Sequence, residues 1–167
     1  MANTENKAPQ RITPFLWFKD SAEEAIKFYT SVFKDSAIVN MHRLPADIGP
    51  GANMLTATFR IKGVEFMVLE GGPIFEFTPA ISFFVHCETQ EEVDHLWDKL
   101  TSDGGKESQC GWLEDKYGIS WQIIPDILGR LMGDPDRVKA GRVMQAMLTM
   151  RKIDSAALQR AYDGSPL

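Results

Sequence analysis

The feature that most constrains the fold is a helical pattern that occurs twice at one fixed offset. Ser21 with Glu24, and Thr89 with Glu92, are capping boxes of the kind that mark helix N-termini. After each box, apolar residues recur at helical spacing, and strand-like runs lie on both sides. The sequence therefore predicts two copies of one β-α-β-β-β unit. The matched apolar positions are Ala25, Phe28, Tyr29 and Val32 in the first copy and Val93, Leu96, Trp97 and Leu100 in the second.

Turn residues separate the predicted strands of each unit. Lys62-Gly63 predicts a tight turn, and residues 45–53, rich in Gly and Pro, predict a longer loop. The run from Asp115 to Gly118 has Asp at the first turn position and Gly at the last, so we expect a strand on either side of it. The predicted strands are 12–18, 37–43, 54–62 and 64–69 in the first copy and 80–87, 106–110, 112–114 and 119–124 in the second.

After Pro125 the sequence changes character. Residues 127–132 predict a short apolar turn or helix, and the methionine-rich residues 143–150 predict a helix that is followed by another, capped by Ser155. Clustered methionines fill irregular grooves, either in their own domain or on a partner subunit. The predicted segments are a flexible tail (1–10), a first βαβββ module (11–71), a linker (72–79), a second βαβββ module (80–125) and a C-terminal helical extension (126–167).

Charge and composition exclude several classes of function. The 167 residues carry a formal net charge of −5 with both signs interspersed, which leaves no basic stripe for a nucleic-acid backbone. No apolar run approaches the roughly 20 residues that cross a bilayer, and the polar first residues do not resemble a signal peptide. Cys87 and Cys110 are too few for a disulfide framework. We therefore expect a cytoplasmic protein with reduced thiols that binds neither nucleic acid nor membrane.

Several short motifs, each weak alone, form a specific combination between residues 12 and 162. Together they resemble the PhnB-like branch of the vicinal oxygen chelate superfamily, which includes glyoxalase I, extradiol dioxygenases and bleomycin-resistance proteins. Many members of this branch carry the label demethylubiquinone methyltransferase. The resemblance implies an α+β fold in which paired βαβββ modules form a cup-shaped curved sheet, usually in a homodimer. The motifs are Phe15-Leu16-Trp17-Phe18, Phe28-Tyr29, Gly71-Gly72-Pro73-Ile74-Phe75, Glu91-Glu92-Val93-Asp94, Cys110-Gly111-Trp112, Asp115-Lys116-Tyr117-Gly118 and Ser120-Trp121-Gln122.

The metal enzymes of the superfamily hold an ion with His or Glu side chains on four strands of the cup. The resemblance puts Thr13 at the first of these positions, one of residues 80–82 at another, and Gln122 at the last. Glu65 and Glu70 lie on the remaining strand, and one carboxylate among neutral side chains does not hold a divalent ion. A loop of the G-x-G kind after a strand, which would suit S-adenosylmethionine, is also missing from the sequence. We therefore expect no metal and no other cofactor.

Strand alternation groups aromatic and polar side chains on the faces that would look into the cup. Phe15 and Trp17 share one face of the first strand with Thr13, and Ser120 and Gln122 share one face of the last. Aromatic walls with a few polar groups suit a small planar or amphiphilic ligand, whereas the alternative is that the aromatic residues fill the cup as core. The predicted ligand-binding residues are Thr13, Phe15, Trp17, Glu70, Trp112, Ser120 and Gln122.

The remaining reactive side chains favour ordinary structural roles. Cys110 could act as a nucleophile, but nothing in the sequence places a base beside it. His42, His86 and His95 have no metal-ligand spacing. No catalytic residue is therefore assigned.

Two hypotheses of different class remain open. The first is a metal-free module that binds a small hydrophobic or aromatic molecule, and the second is an enzyme of the labelled type, a quinone-related methyltransferase. Whether the protein is an enzyme stays undecided at this point. We expect a homodimer under either hypothesis, because sheet edges and the methionine-rich residues 144–150 leave apolar surface to cover.

Overall fold

Strands and helices follow the predicted β-α-β-β-β order twice in the structure, a computed structural model that describes residues 10–45 and 53–165. Of the predicted tail, only Gln10 is among the described residues. Of the predicted 45–53 loop, residues 46–52 lie outside them. The elements are β1 (Phe15–Phe18), α1 (Ala22–Val32), β2 (Ser36–Arg43), β3 (Leu55–Ile61), β4 (Val64–Glu70), β5 (Phe83–Cys87), α2 (Gln90–Thr101), β6 (Lys106–Glu107), β7 (Trp112–Glu114), β8 (Ser120–Pro125), α3 (Asp126–Met132), α4 (Arg137–Leu148) and α5 (Ser155–Asp163).

Each repeat forms a four-stranded mixed sheet with the same strand order. The order is β1-β4-β3-β2 in the first sheet and β5-β8-β7-β6 in the second. In both sheets the first strand pairs in parallel with the last strand of its repeat, and the other neighbours are antiparallel. The prediction of two βαβββ modules in an α+β fold is therefore confirmed. The chain divides into two compact units after Glu76.

The first unit buries one face of its sheet beneath α1. Strand β3 alternates between buried and solvent-facing positions, as expected for a sheet that is covered on one side. Its central buried residue, Phe59, stacks on Phe66 with ring centroids 5.1 Å apart and on Tyr29 of α1 at 6.1 Å. Ala25 and Ile26 of the same helix are fully buried. Of the ladder that predicted α1, Ala25, Tyr29 and Val32 are buried in this core, whereas Phe28 is half-buried.

The second unit repeats this arrangement with α2. Helix α2 packs against β5, β7 and β8 and buries the four residues of the predicted ladder. Thr89 caps α2 as predicted, because Glu92 N donates to Thr89 Oγ1 at 3.2 Å. The return bond reaches one residue further back than in a capping box, since Glu92 Oε2 accepts from Glu88 N at 3.0 Å. These two bonds therefore close the N-terminus of α2 with local side chains.

The corresponding prediction for Ser21 is wrong. Ser21 adopts a left-handed backbone conformation with φ of 59°, and its hydroxyl donates to Asp20 Oδ1 at 3.1 Å instead of accepting from the helix. A carboxylate from the end of β4 takes its place, since Glu70 Oε2 accepts from Ala22 N at 2.9 Å. A charged acceptor suits the positive end of the helix dipole better than a hydroxyl does.

Helices α3, α4 and α5 form the C-terminal extension around a second apolar cluster. Residues 150 and 151 bind the start of β7, because Cys110 N donates to Met150 O at 2.8 Å and Gly111 N donates to Arg151 O at 2.7 Å. Cys110 and Gly111 both have positive φ, which turns their amides toward the extension. The buried residues of the cluster are Ile124, Leu128, Leu131, Val143, Ile153 and Leu158.

One cap in the extension differs from the prediction. Helix α5 begins at Ser155, and the capping side chain belongs to the preceding Asp154, whose carboxylate accepts from Ala157 N at 2.8 Å. The amide of Ser155 instead donates to Gln90 Oε1 on α2 at 2.9 Å, while Gln90 Nε2 donates to Ile153 O at 3.0 Å. A single glutamine thus binds the backbone of the segment before α5.

Among the described residues, no helix combines the length and apolar character that crossing a bilayer requires.

Candidate functional site

The face of the first sheet that α1 does not cover carries aromatic and aliphatic side chains. Leu16 and Phe18 point to the α1 side and are buried, whereas Phe15, on the other parity of β1, is 55% exposed and Trp17 is half-buried. Strand register places Met67 of β4 beside Phe15 and Leu69 beside Trp17. We call this surface the first open face; its members are Phe15, Trp17, Met67, Leu69, Thr56 and Thr58.

Trp17 is the most constrained side chain of the first open face. Its indole Nε1 donates to Gly72 O at 2.9 Å, and its ring meets Phe75 edge-on with centroids 5.2 Å apart. A Cβ on Gly71 would lie 2.3 Å from the indole, so only glycine fits there. The Gly71-Gly72 motif therefore acts as a seat that holds the indole in one orientation.

Thr13 lies just before β1 and is half-buried. Gln10 holds this segment against β4: its Nε2 donates to Glu65 O at 2.9 Å, and its Oε1 accepts from Glu65 N at 2.9 Å. The same Nε2 approaches Thr13 Oγ1 at 3.4 Å. A glutamine that pairs with a strand in this way extends the edge of the sheet by one residue.

Glu70 lies on the opposite side of the sheet from Trp17. Besides capping Ala22 N, its Oε1 accepts from Arg43 Nη1 at 3.3 Å. Arg43 also reaches Glu23 Oε2 at 3.4 Å, and the bonds of Glu23 to Lys27 and then to Arg43 hold the pKa of the Glu23 carboxyl below its usual range. The structure thus brings Phe15 and Trp17 together but leaves Glu70 apart from them, and its role in ligand binding stays a prediction.

The second sheet has a corresponding surface on the side away from α2. Register aligns Phe84 of β5, Gln122 of β8 and Trp112 of β7 in one row across the sheet. Gln122 Nε2 donates to Ser82 Oγ at 2.9 Å. Ser120 shares the parity of Gln122 on β8 but is buried. We call the row Phe84, Gln122 and Trp112, together with Ser82 and Ser120, the second open face.

Asp115 fixes the turn between β7 and β8 and was assigned no more than a turn position from the sequence. The carboxylate is 2% exposed; Oδ1 accepts from the amides of Tyr117 and Ile119 at 2.9 and 3.1 Å. Oδ2 accepts from Trp121 Nε1 at 2.8 Å. Since Trp121 lies on the α2 side of β8, this bond sets the alternation that turns Gln122 to the other face. The sequence did contain a signal for the bond between Asp115 and Trp121, because the Asp precedes the Trp by six residues across a predicted turn.

The donor set at the family's metal positions does not suit a divalent ion. Thr13 and Gln122 are neutral. Gln122 also donates one amide hydrogen to Ser82, which is itself one of the candidate metal-ligand positions. Within residues 10–45 and 53–165, no three His, Cys, Asp or Glu side chains converge as a metal would need. No chemical step is therefore assigned to a metal in this chain.

His42 and His86 lie on the open faces, because His42 of β2 is the cross-strand partner of Thr56 and the ring centroids of His86 and Phe84 are 4.8 Å apart. His86 Nδ1 lies 3.2 Å from Asp126 Oδ1, and both side chains are exposed. His95 lies on α2. Cys110 is a free, half-buried thiol at the left-handed turn before β7. These positions supply no base beside a nucleophile among the residues described.

Comparison with known proteins identifies one family. The family described as 3-demethylubiquinone-9 3-methyltransferase matches residues 10–124, which is most of both modules. The PhnB protein of Bacillus cereus, described by the same enzyme name, is 43% identical, and the match covers 70% of this chain and 99% of that protein with a TM-score of 0.64. No curated protein matches the chain.

Two further solved structures share the fold alone. Protein PA1353 from Pseudomonas aeruginosa is 18% identical, with a TM-score of 0.58 over 70% of this chain and 98% of that one. The fosfomycin resistance protein FosX from Listeria monocytogenes, solved with Mn(II) and sulfate, is 16% identical, with a TM-score of 0.52 over 68% of this chain and 89% of that one. The family match ends at residue 124, before the C-terminal extension begins.

Proposed function

Because the chain belongs to the 3-demethylubiquinone-9 3-methyltransferase family, the PhnB-like branch of the vicinal oxygen chelate superfamily, we propose that it binds a small hydrophobic or aromatic molecule without a metal ion. The observation that carries this proposal is the seated indole of Trp17 on a solvent-facing sheet surface. A large aromatic side chain held in one orientation beside exposed apolar neighbours is typical of a ligand platform.

The first open face supports an aromatic or planar ligand. Phe15, Met67 and Leu69 surround the indole with apolar surface, and Thr56 and Thr58 continue the two rows with hydroxyl groups. An offset or edge-on ring contact contributes roughly 0.5–1.5 kcal/mol beyond the burial of area. Because the bond from Trp17 to Gly72 O already fixes the ring, ligand binding costs little side-chain conformational entropy at Trp17.

The second open face, taken by itself, can recognise one polar group of a small ligand. Gln122 Nε2 is oriented by Ser82, and no described residue donates to Gln122 Oε1. This oxygen can therefore accept from a ligand hydroxyl or amide. Trp112 beside it is half-buried and adds an aromatic edge. The second open face therefore suits a ligand that combines an apolar or aromatic group with a hydrogen-bond donor.

The alternative is the activity that the family's description names, a methyl transfer related to quinones. It needs S-adenosylmethionine, which proteins commonly hold with a glycine-rich loop after a strand. The connection from β1 to α1 is Lys19-Asp20-Ser21 and contains no glycine. Titration with S-adenosylmethionine separates the two functions, because saturable binding of this cofactor would favour the methyltransferase.

Native mass spectrometry of protein purified from its own cells tests the binding proposal directly. We expect a co-purifying organic molecule that is retained in the Gln159→Ala control and lost or much reduced in Trp17→Ala, and Gln122→Ala tests the second open face separately. Elemental analysis of the same chelator-free preparation should give substoichiometric metal. If the identified molecule binds both variants with unchanged affinity, or if stoichiometric metal is lost on Gln122→Ala, the proposal fails.

We also propose that the protein forms a homodimer through α4. Met147 and Met150 pack against the cluster of the extension, whereas Met144 and Leu148 are 44% and 52% exposed. Adjacent exposed apolar side chains on one helix support burial against a second copy. Sedimentation at micromolar concentration tests this: dimers should become monomers in Met144→Glu/Leu148→Glu, and a wild-type monomer would exclude the proposal.

A further inference from the structure

The second unit contains a groove that the proposed function does not use. It lies between one side of α4 and the C-terminal end of α5 and has a volume of about 770 Å³. This volume is in the range of small-molecule sites in proteins. Small residues, Gly141, Ala146 and Ala161, line the groove, and a Cβ built on Gly141 meets no atom within 4 Å. The groove is thus open over the middle of α4.

A fixed guanidinium lies in the wall of this groove. Arg142 Nε donates to Ala161 O at 2.7 Å, and Nη2 donates to Tyr162 O, both at the C-terminal end of α5. Two bonds in one plane orient the group without a carboxylate. Among the described residues none pairs with Arg142 as an acid, and its Nη1 edge has no protein acceptor there. A half-buried cation in this state can bind an anion with little loss of side-chain freedom.

A second arginine adds to the positive charge. Arg137, the first residue of α4, lines the groove and forms no ion pair within residues 10–45 and 53–165. Among the described residues no acidic side chain lines the groove, although acidic residues outnumber basic ones in the chain as a whole. Charge complementarity therefore favours an anionic group over a neutral or cationic one.

The rest of the lining is mixed, since Gln145, Thr149 and Ser165 are polar and the remaining residues are apolar or glycine. Val138 is 68% exposed at the groove wall, and Ala146 and Ala161 form the surface beyond the arginines. Apolar surface next to two arginines matches a molecule with an anionic head and an alkyl tail. We propose that this groove binds an anionic amphiphile, with its carboxylate at Arg137 and Arg142 and its chain over Gly141 and Ala146.

Decanoate is a suitable probe, titrated into the full chain by isothermal titration calorimetry, with decanamide as the uncharged comparison. We expect saturable decanoate binding that weakens with added salt, and binding by decanamide that is at least about tenfold weaker, as loss of a charge-assisted contact predicts. Arg137→Gln should weaken decanoate binding by a similar factor, whereas Arg130→Gln on α3 should not change it.

Gly141 allows the groove to be filled without disturbing the fold. Gly141→Leu adds a side chain into open space at an exposed helix position, so the variant should stay folded by circular dichroism and lose decanoate binding. Gly141→Ala gives the same gain in helix propensity without filling the groove and should bind as the wild type does. Arg142 is left unchanged in these tests because it also holds α5.

Three results would overturn the proposal. One is the absence of saturable decanoate binding at millimolar concentration, and another is equal affinity for decanoate and decanamide. The third is decanoate binding that survives Gly141→Leu. If Trp17→Ala then abolishes that remaining binding, decanoate binds to the first open face and not to the groove. Loss of binding in Gly141→Leu and weakening in Arg137→Gln, with both control variants unchanged, would establish the site.

Discussion

Asp115 and Trp121 are joined by a buried hydrogen bond of 2.8 Å between Oδ2 and the indole Nε1. The two residues lie on either side of the β7–β8 turn, and the other carboxylate oxygen accepts from two amides within the turn. Both oxygens therefore face N–H donors, which a carboxylate, as an acceptor at both oxygens, satisfies. The bond links the turn to the core beneath α2.

Asp115→Asn should destabilise the protein by about 1.5–3 kcal/mol, because either orientation of the amide places an NH₂ group against a donor. Urea denaturation followed by circular dichroism measures this free energy of unfolding. In a Trp121→Phe background the amide can turn its NH₂ toward the position left by the indole nitrogen. Asp115→Asn should therefore lower the free energy of unfolding by less in the Trp121→Phe background than in the wild type. Equal losses in both backgrounds would show that the bond to the indole does not contribute to the stabilisation by Asp115.

Gly71→Ala should displace the Trp17 indole, since the added Cβ would lie 2.3 Å from the ring. The expected destabilisation is about 1–3 kcal/mol. The indole Nε1–H resonance of Trp17, assigned from Trp17→Phe, should shift as its bond to Gly72 O breaks. Gly129→Ala is the matched control, because a Cβ on that helical glycine meets nothing within 4 Å. An unshifted Trp17 resonance in Gly71→Ala would contradict the close seat described here.

Gln90→Ala should loosen the segment that precedes α5. The variant loses both the donor to Ile153 O and the acceptor for Ser155 N, and about 1–2 kcal/mol of stability with them. Hydrogen exchange should accelerate at the amide of Ser155 and in the first turn of α5. Gln159→Ala, which removes a glutamine bound to Asp163 on the outer side of α5, should leave these amides protected. Equal exchange in the two variants would show that Gln90 does not anchor this segment.

The ion pair between Lys152 and Asp94 should make the extension sensitive to acid. Lys152 Nζ lies 2.9 Å from Asp94 Oδ1, and this hydrogen bond lowers the pKa of Asp94 below its ordinary 3.8 and raises the pKa of Lys152 above 10.5. The stabilisation from Asp94 is therefore present above its ordinary pKa and is lost as pH falls through the lowered value. The stabilisation from Lys152 is present below its ordinary pKa and is lost as pH rises through the raised value.

The difference in urea midpoint between wild type and Lys152→Gln should accordingly stay constant between about pH 4 and pH 10 and shrink toward zero below that window. Added salt should reduce it throughout, since both side chains are largely solvated. Lys34→Gln provides the comparison, because Lys34 has no ion pair among the residues described. A difference that persists unchanged at pH 2 would mean that the pair is not its source.

Local signals in the sequence predicted the elements but not the bonds between them. The ladder of α2 and the turn from Asp115 to Gly118 depend on residues within a few positions of each other, so periodicity and turn chemistry were sufficient. The cap of α1 was missed because Glu70 is 48 residues from Ala22, and a nearby Ser with a suitable Glu offered a plausible local substitute. Only pairing of β1 with β4 brings that carboxylate to the helix.

The candidate site shows the same limit. Alternation along β1 and β8 assigned Trp17 and Gln122 to strand faces that were expected to look into the cup. The structure places them on the sides of their sheets away from α1 and α2, and their part in ligand binding stays a prediction. The contact of Gln122 with Ser82 spans 40 residues and depends on the parallel pairing of β5 with β8. Ile124 lies on the same side of β8 as Gln122 but is buried in the cluster of the extension. The alternation along β8 cannot predict this burial, because it does not indicate that a later helix covers that end of the strand.

The contact of Ile124 with the extension bears on how fragments of this protein should be cut for expression. A fragment trimmed to the family boundary at residue 124 would leave Ile124 without the cluster that buries it. It would also leave the amides of Cys110 and Gly111 without their carbonyl partners at residues 150 and 151. For this chain the unit of sequence homology is shorter than the unit that folds, and a gene fragment designed on homology alone is expected to yield inclusion bodies.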